Sequence, residues 1–338
     1  MSRELPSSGA ARRALLGTGA ALALSGAVPL ARASTAPRLR VKVFPGAQNL
    51  ALFAAQSQGF FKAQGVDVDL QFTQNSTELR TGLAAGAFDI AHAAVDNAVA
   101  MRESAGADIA IVMGGDSSMN EFFVQPEITE VAQLRGRTLI VDAPNTAYAL
   151  QARKVLLKAG LKTGDYVIKV VGGTFQRVGA MRDDRSHAAS ALNPPFSFQA
   201  RAFGLRSLGR MIDLIGPYQG SGVFVMRPWG AANGPALEAY LAALVQGLRW
   251  ARAPERRDAV LALLGQRLNL PADITVQTYD ALMEPRFGLT VDSRFDAAGF
   301  DAVLGLRAEI EGQWGGKPPP AERYVDQRWY EAALRRLG

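Results

Sequence analysis

The sequence predicts an α/β protein built as two lobes, with a helical C-terminal region. Strand and helix patterns alternate in two successive stretches, a run of helices follows them, and the composition is that of a globular protein. Hydrophobic residues make up 48% and charged residues 20% of the 338 residues, which is close to the globular average and excludes a disordered chain or a coiled coil. At roughly 150 residues per domain, this length corresponds to about two domains.

The first α/β unit is predicted between residues 39 and 114. Val66–Phe72 alternates apolar and polar residues, as expected for a strand with one buried face. Strands that alternate with helices of this length indicate a parallel sheet. The predicted strands are 39–44, 66–72, 88–94 and 109–114, and the predicted helices are 49–63, 77–85 and 97–104.

A second unit begins near residue 134, and a helical region follows it. Its predicted strands are 138–142, 167–171, 188–192 and 220–226, and its predicted helices are 146–159, 175–183 and 195–203. The later predicted helices are 235–251, 254–268, 272–284, 296–313 and 326–337.

This order of elements predicts a chain that leaves lobe 1, builds lobe 2 and returns to lobe 1. We expect the crossings near residues 121–124 and 223–226, where the sequence is short, extended and apolar. The predicted lobes are residues 34–123 with 223–338, and residues 124–222. The alternative is one continuous sheet with a helical tail.

Residues 1–33 have the three-part pattern of an export signal. A basic stretch ends in Arg12-Arg13, an uncharged apolar run follows, and Ala31-Arg32-Ala33 has the small-x-small pattern of a cleavage site. The paired arginines resemble a twin-arginine signal, and a general-secretion signal is the alternative. No cysteine follows the apolar run, so we expect an exported, soluble protein without a lipid anchor.

Charge and residue counts exclude several kinds of chemistry. The chain has no cysteine and two histidines, which excludes disulfides, thiolate metal sites and a cysteine nucleophile. The net charge is +6, and half of it lies in residues 1–33, so a nucleic-acid partner is not expected. The phosphate-loop, dinucleotide, nucleophile-elbow and zinc-protease motifs do not occur. We therefore predict a protein that is not an enzyme and needs no metal or cofactor.

Polar turns follow the predicted strands, where ligands bind in α/β folds. Helix N-termini at this edge also offer free N–H groups to an anion. The predicted ligand-binding residues are Gln48, Asn49, Asn75, Ser76, His92, Asp96, Asn97, Asp116, Asn145, Thr146, Tyr148, Thr174, Phe175, Asn193 and Phe196. Each has an alternative interpretation as a cap or a core residue. Arg177 is expected either to bind a carboxylate or sulfonate with two hydrogen bonds or to lie on the surface.

Several segments resemble a known family. Gln56–Lys62, Gly65–Val68, Gly86–Ile90, Leu134–Val141 and Leu156–Gly160 are similar to segments of the periplasmic substrate-binding proteins of the nitrate/taurine/sulfonate and thiamine-precursor (pyrimidine) group. The resemblance implies the type II periplasmic binding protein fold, with a ligand cleft between two hinged lobes and the helical C-terminal region packed on lobe 1. It also implies delivery of ligand to an ABC permease in the inner membrane.

The expected function is therefore the solute-binding component of an ABC importer in the periplasm. The expected ligand is a small organic solute, namely a sulfonate, an aromatic acid or a pyrimidine-like compound, and the expected state is a monomer. Two alternatives remain at this point: an exported α/β enzyme acting on a small heterocyclic or aromatic substrate, and a ligand-binding input protein for a membrane sensor.

Overall fold

The computed structural model describes residues 36–338, and the predicted leader of residues 1–33 lies outside them. The strands of this part are β1 (Arg38–Val43), β2 (Asp67–Phe72), β3 (Ile90–Ala94), β4 (Ile109–Met113), β5 (Glu121–Val124), β6 (Thr138–Val141), β7 (Val167–Val170), β8 (His187–Leu192), β9 (Arg206–Arg210) and β10 (Ser221–Met226). The helices are α1 (Leu50–Ser57), α2 (Phe60–Ala63), α3 (Ser76–Ala84), α4 (Asp96–Ala105), α5 (Ala147–Lys158), α6 (Thr174–Asp183), α7 (Phe196–Ala202), α8 (Met211–Ile215), α9 (Arg227–Ala232), α10 (Gly234–Arg252), α11 (Arg257–Leu268), α12 (Ala272–Met283), α13 (Ala297–Glu311) and α14 (Arg328–Leu337).

The strands form two separate five-stranded sheets rather than one continuous sheet. The first has the order β2-β1-β3-β10-β4 and the second the order β7-β6-β8-β5-β9. This arrangement confirms the predicted two-lobed α/β fold. Each sheet defines one lobe: lobe 1 contains the first sheet and lobe 2 the second.

Both sheets are mixed, whereas the sequence predicts parallel ones. β1 pairs in parallel with β2 and β3, and β6 pairs in parallel with β7 and β8. β10 runs antiparallel to β3 and β4, and β5 runs antiparallel to β8 and β9. These two strands enter their sheet directly from the other lobe, so no crossover helix within the sheet sets their direction to parallel.

The chain passes between the sheets through two short connections, residues 114–120 and 216–220. The segments predicted as crossings are instead hydrogen-bonded members of one sheet each: β5 belongs to lobe 2 and β10 to lobe 1. The domain limits at 123/124 and 222/223 stay a prediction. Those limits assign Glu121–Phe123 to lobe 1 and Ser221–Gly222 to lobe 2. However, Glu121–Phe123 pair within the sheet of lobe 2, and Ser221–Gly222 pair within the sheet of lobe 1.

Helices cover the sheets and build the core of each lobe. α10 buries Leu237, Tyr240 and Leu244 against α1 and the first sheet. The predicted helix 49–63 is two helices, because Gly59 between them takes a left-handed conformation with φ of 72°. α13 packs Phe300 against the core of lobe 1. Within residues 36–338, no helix has both the length and the apolar character needed to cross a bilayer.

Candidate ligand-binding site

A cavity of about 60 Å³ lies between the two lobes. A single water molecule needs roughly 10–15 Å³ on the same measure, so the cavity accepts a solute equivalent to several waters. The turns after β1, β6, β7 and β8, the last residues of β3 and the first turns of α3, α4, α5 and α6 form its wall, together with both connections between the lobes. This position matches the rule that ligands bind beyond the carboxyl ends of parallel strands.

Eight of the fifteen predicted ligand-binding residues line this cavity. They are Gln48, Ser76, Asn97, Asp116, Thr146, Tyr148, Thr174 and Asn193. They come from both lobes and from the first connection, so the polar turns that the sequence singled out do converge. Contact of each residue with a ligand stays a prediction.

The other seven predicted residues do not line the cavity. They are Asn49, Asn75, His92, Asp96, Asn145, Phe175 and Phe196. Asn49 donates through Nδ2 to the carbonyl oxygens of Phe44 at 2.8 Å and Gly46 at 3.1 Å. Asn75 caps α3, where its Oδ1 accepts the N–H of Glu78 at 2.9 Å.

Four of these seven have structural partners behind or beside the wall. Asp96 forms a buried ion pair with Arg307, with 2.6 Å between Oδ1 and Nη1. The same Nη1 donates to the carbonyl oxygen of Asn145 at 3.2 Å. Phe196 packs into the core of lobe 2, and Phe175 lies beside Gly173, where an added Cβ would come within 2.9 Å of its ring.

His92 points away from the cavity, towards α10. Its Nε2 forms a hydrogen bond of 2.7 Å with the hydroxyl of Tyr240, and the two rings pack edge to face. Burial lowers the pKa of His92 to about 3, so the ring is neutral at physiological pH. His92 is thus a structural side chain with its own partner.

Arg177 is the most informative residue of the wall, and it is buried rather than on the surface, with only 1% of its area exposed. Nη1 donates to Ser190 Oγ at 3.2 Å and Nη2 to Thr174 Oγ1 at 2.9 Å. The guanidinium carbon lies 5.4 Å from the ring centroid of Tyr148. No carboxylate of the described residues lies within ion-pair distance of Arg177, and its buried Nε has no partner.

Arg177 has no direct ion pair with a described residue, although Asp142 of the same wall acts on its charge from a longer distance. The lack of a direct partner makes Arg177 a candidate anion-binding group. Burial lowers its pKa from the ordinary value, since the charged form loses hydration. Buried charges are normally paired, because leaving one unpaired is costly. An acidic group of a ligand in the cavity supplies the missing partner, and a guanidinium offers the planar fork that carboxylates and sulfonates accept.

Hydrogen bonds across the cleft hold the lobes together around the cavity. Both carboxylate oxygens of Asp142 accept the backbone N–H of Ser76, at 3.2 and 3.1 Å. Asn193 Nδ2 donates to Gln48 Oε1 at 3.3 Å. Gly173 N donates to the carbonyl oxygen of Gln74 at 3.1 Å. The cleft is therefore in a closed conformation.

Asp116 joins the two connections between the lobes. Its Oδ1 accepts the N–H of Ser118 at 2.8 Å, and its Oδ2 accepts the N–H of Ser221 at 3.0 Å and the Ser221 hydroxyl. Burial raises the pKa of Asp116, and these hydrogen bonds oppose the rise. An added Cβ at Gly220 would lie 2.2 Å from Asp116 Oδ1, so the close approach of the connections needs glycine there.

The sequence interpretation also missed several wall residues. Asp142, Asn120, Met119 and Ser221 line the cavity but were not among the predicted set. Asp142 was detectable, because it is the last residue of the predicted strand 138–142, at the edge where the polar turns begin. Within residues 36–338, no group of three or more acidic or histidine side chains is placed to hold a metal ion.

A comparison with family models identifies the family of this chain. A family model described as NMT1/THI5 like matches residues 47–254. The chain belongs to this family. The match runs from the turn after β1 to the end of α10, so it includes the whole of lobe 2 and most of the cavity wall. No curated protein matches the sequence.

Solved structures show the same fold at low sequence identity. A protein of Bordetella bronchiseptica RB50 is 19% identical, with a TM-score of 0.77 over 89% of this chain and 98% of that chain. The periplasmic nitrate-binding protein NrtA from Synechocystis PCC 6803 is 14% identical, with a TM-score of 0.73 over 89% of each chain. The alkanesulfonate-binding protein SsuA from Xanthomonas axonopodis pv. citri, bound to MOPS, is 18% identical, with a TM-score of 0.69 over 87% of this chain and 97% of that chain. The fold of this NMT1/THI5-like protein is thus the two-lobed type II periplasmic binding protein fold.

Proposed function

We propose that this protein is the extracytoplasmic solute-binding component of an ABC importer and that it binds a small organic solute bearing an acidic group. The family, the two-lobed fold and the closed interlobe cavity all support a binding protein. The proteins of similar fold include binders of nitrate and of sulfonates, which are anions. A cavity with a single arginine suits one acidic group of this kind.

The observation that carries this proposal is the state of Arg177. It is buried in the wall, it pairs with no carboxylate of the described residues, and its Nε has no hydrogen-bond partner. Its two hydrogen bonds go to neutral hydroxyls, and Asp142 acts on its charge only from beyond ion-pair distance. A protein that keeps such an arginine at a cleft between two lobes is built to receive an anion there.

The cellular setting belongs to the same proposal. Residues 1–33 act as an export signal of the twin-arginine or general-secretion type, and the mature protein is a soluble, periplasmic monomer without a lipid anchor. Residues 34–123 with 223–338, and residues 124–222, are its two domains. An ABC permease in the inner membrane receives the solute. The neighbouring genes distinguish this importer from a membrane sensor. Permease and ATPase genes beside this one would indicate an importer, and a kinase gene would indicate a sensor.

Binding without catalysis is the better supported reading of the cavity. Both histidines of the chain lie outside its wall: His92 contacts Tyr240, and His187 Nδ1 contacts the carbonyl oxygen of Ala180 at 3.0 Å. An enzyme that uses His92 as its base, the chief enzymatic alternative, therefore has no structural support from this cavity.

The test is recovery of a solute. The mature protein is purified from its own cells, or equilibrated with an extract of them, and analysed by native and then denaturing mass spectrometry. We expect one small acid in stoichiometric amount, released unchanged. Its re-addition at a hundredfold excess over Kd is expected to stabilise the fold by about 2.7 kcal/mol. A chemically altered solute would support the enzyme, and no retained solute with no thermal shift would contradict the proposal.

A further inference from the structure

Asp142 connects the wall of the cavity with the opposite lobe. It directly follows β6 in lobe 2 and is 7% exposed, and both of its carboxylate oxygens accept the backbone N–H of Ser76, at 3.2 and 3.1 Å. Ser76 is the first residue of α3 in lobe 1. Free N–H groups and the helix dipole attract negative charge to such a position. A carboxylate of one lobe thus binds the N-terminus of a helix in the other lobe.

Two arginines, one in each lobe, act on this carboxylate. Arg80 lies one turn into α3, where its Nε donates to the carbonyl oxygen of Ser76 at 3.2 Å and its Nη2 donates across the cleft to Asn145 Oδ1 at 3.5 Å. Burial lowers the pKa of Arg80, and the charge of Asp142 is among those that oppose the decrease. Burial likewise lowers the pKa of Arg177 in lobe 2, and Asp142 again opposes it. Asp142 is therefore attracted by a cation of each lobe, in both cases from beyond ion-pair distance.

The two attractions have different consequences for the cleft. The attraction to Arg80 and to the Ser76 N–H acts between the lobes and draws them together. The attraction to Arg177 acts within lobe 2 and does not. A negative group bound to Arg177 weakens the second attraction and itself repels Asp142, because charges interact strongly in a closed cavity of low dielectric constant. An acid on Arg177 therefore shifts the balance at Asp142 towards lobe 1.

We propose that Asp142 is a positioning residue that couples occupancy of Arg177 to closure of the lobes. In the empty, open protein Asp142 is attracted towards Arg177. An acidic group on Arg177 releases Asp142 to the start of α3, and there it takes the position that it has in the closed structure. This inference rests on the proposed function and adds the group that senses the acid. It also explains why a wall that binds an acid contains a carboxylate close to it.

The test measures closure in the empty protein, so it needs no identified solute. The chain has no cysteine, and Lys62→Cys and Thr163→Cys introduce one exposed labelling site in each lobe. These sites precede β2 and β7, the edge strands on the side opposite the connections, so closure shortens the distance between them. Single-molecule energy transfer on the extensively dialysed mature protein gives the ratio of closed to open molecules. A melting curve of each variant confirms that it is folded.

Two substitutions and their combination isolate the role of Asp142. Arg177→Gln removes the competing attraction, so we expect the closed-to-open ratio to rise by about two- to fivefold, the gain typical of an anion at a helix N-terminus. Asp142→Asn keeps an oxygen for the Ser76 N–H but loses the charge, so the ratio should fall by a similar factor. In the double variant, Arg177→Gln should no longer raise the ratio. Relief from burying the Arg177 charge alone would raise it equally with and without Asp142.

Ser76→Pro tests the other side of the contact. It removes the N–H that Asp142 accepts, whereas proline suits the first position of a helix. We expect the ratio to fall as in Asp142→Asn, and Arg177→Gln to have no effect in this background. Arg323→Gln is the matched control, because it removes an arginine of lobe 1 that pairs with Glu103 on α4 at 3.0 Å. The control should leave the ratio unchanged.

The outcomes separate this inference from the proposed function. A ratio that Arg177→Gln leaves unchanged, or raises equally with and without Asp142, would overturn the coupling and leave the solute-binding function standing. The recovery of a solute tests the function separately. An extract from which nothing binds, together with the expected ratios, would contradict the importer role and support the coupling between Arg177 and Asp142.

Discussion

Two buried arginines of this protein lie in neighbouring regions and have opposite surroundings. Arg177, in the cavity wall, and Arg307, on α13 behind the wall, are each 1% exposed. Arg307 pairs with Asp96 and also donates to a backbone carbonyl and to Gln313. Arg177 has only hydroxyl partners and the Tyr148 ring.

The difference shows how the same side chain serves structure in one place and binding in the other. A buried arginine that the protein pairs with a carboxylate belongs to the fold, and its loss leaves an unpaired charge. A buried arginine that the protein leaves without a direct ion pair keeps its ion-pairing capacity for a ligand. Arg307, behind the cavity, is thus paired within the protein, whereas Arg177, in the wall, gains a direct ion-pair partner only from a bound ligand.

Removing Arg307 gives the largest expected effect. In Arg307→Met, Asp96 loses its ion-pair partner while it remains fully buried, so we expect a loss of about 3–5 kcal/mol in the free energy of unfolding. Urea denaturation at neutral pH measures it. Adding Asp96→Asn to this variant removes the stranded charge and is expected to restore most of the loss. A loss below about 1 kcal/mol would show that the pair is not structural.

Removing Arg177 is expected to weaken ligand binding rather than stability. Arg177→Met breaks no ion pair, so we expect the unfolding free energy to stay within about 1 kcal/mol of the original. Affinity for the co-purified solute should fall by about a hundredfold, which corresponds to roughly 2.7 kcal/mol. Titration calorimetry measures it, with Arg177→Lys as the control that keeps the charge but loses the fork. Equal destabilisation by Arg177→Met and Arg307→Met would erase the contrast between the two regions.

His92 also lies outside the wall, where it contacts Tyr240. Because histidine titrates, this residue makes stability depend on pH. Its pKa is about 3 in the folded protein and roughly 6.5 in the unfolded chain. As the pH falls from 6.5 towards 3, the unfolded state takes up a proton that the folded state does not, and stability is lost by up to about 1.4 kcal/mol per pH unit. His92→Gln should show a flatter dependence in urea titrations between pH 6 and 4. An unchanged slope would assign the acid sensitivity to other groups.

The smallest expected effects are those of substitutions in two turns beside the cavity, at Asn75 and Thr146. Asn75 caps α3 outside the wall, so Asn75→Ala should cost about 1 kcal/mol of stability and leave affinity within twofold. Thr146 lines the cavity, and its hydroxyl donates to the carbonyl oxygen of Ala143 at 2.9 Å instead of capping α5. Thr146→Ala should therefore change affinity more than stability. Stability is measured by urea denaturation and affinity by calorimetry on the same preparations. A larger loss of affinity in Asn75→Ala than in Thr146→Ala would show that Asn75, rather than Thr146, contacts the ligand.

The positions of Asn75 and Ser76 show how far the sequence predicts such a site. A polar turn after a strand was visible in both, and the cavity lies at this edge of the sheet. Whether a side chain turns back to cap its own helix, as in Asn75, or its backbone faces the cleft, as in Ser76, depends on one residue of register. Periodicity does not resolve register at a helix start.

Arg177 and β9 show what only the tertiary structure decides. The sequence left Arg177 between ligand and surface, because its burial depends on Ser190 from β8 and Tyr148 from α5. β9 was not predicted, since Arg206–Arg210 is short and polar and contains Gly209, and it forms a strand only through its pairing with β5. Such long-range pairings leave no local signal.

The ion pairs between α5 and α13 are expected to make closure of the two lobes depend on salt concentration. Arg153 pairs with Glu311 and Lys154 with Glu309, which ties lobe 2 to a helix packed on lobe 1. Dissolved ions screen such pairs over a Debye length of about 8 Å at physiological ionic strength and roughly 3 Å at 1 M. Concentrated salt therefore weakens the closed state relative to the open one. We therefore expect the apparent affinity for the ligand to fall at high salt concentration.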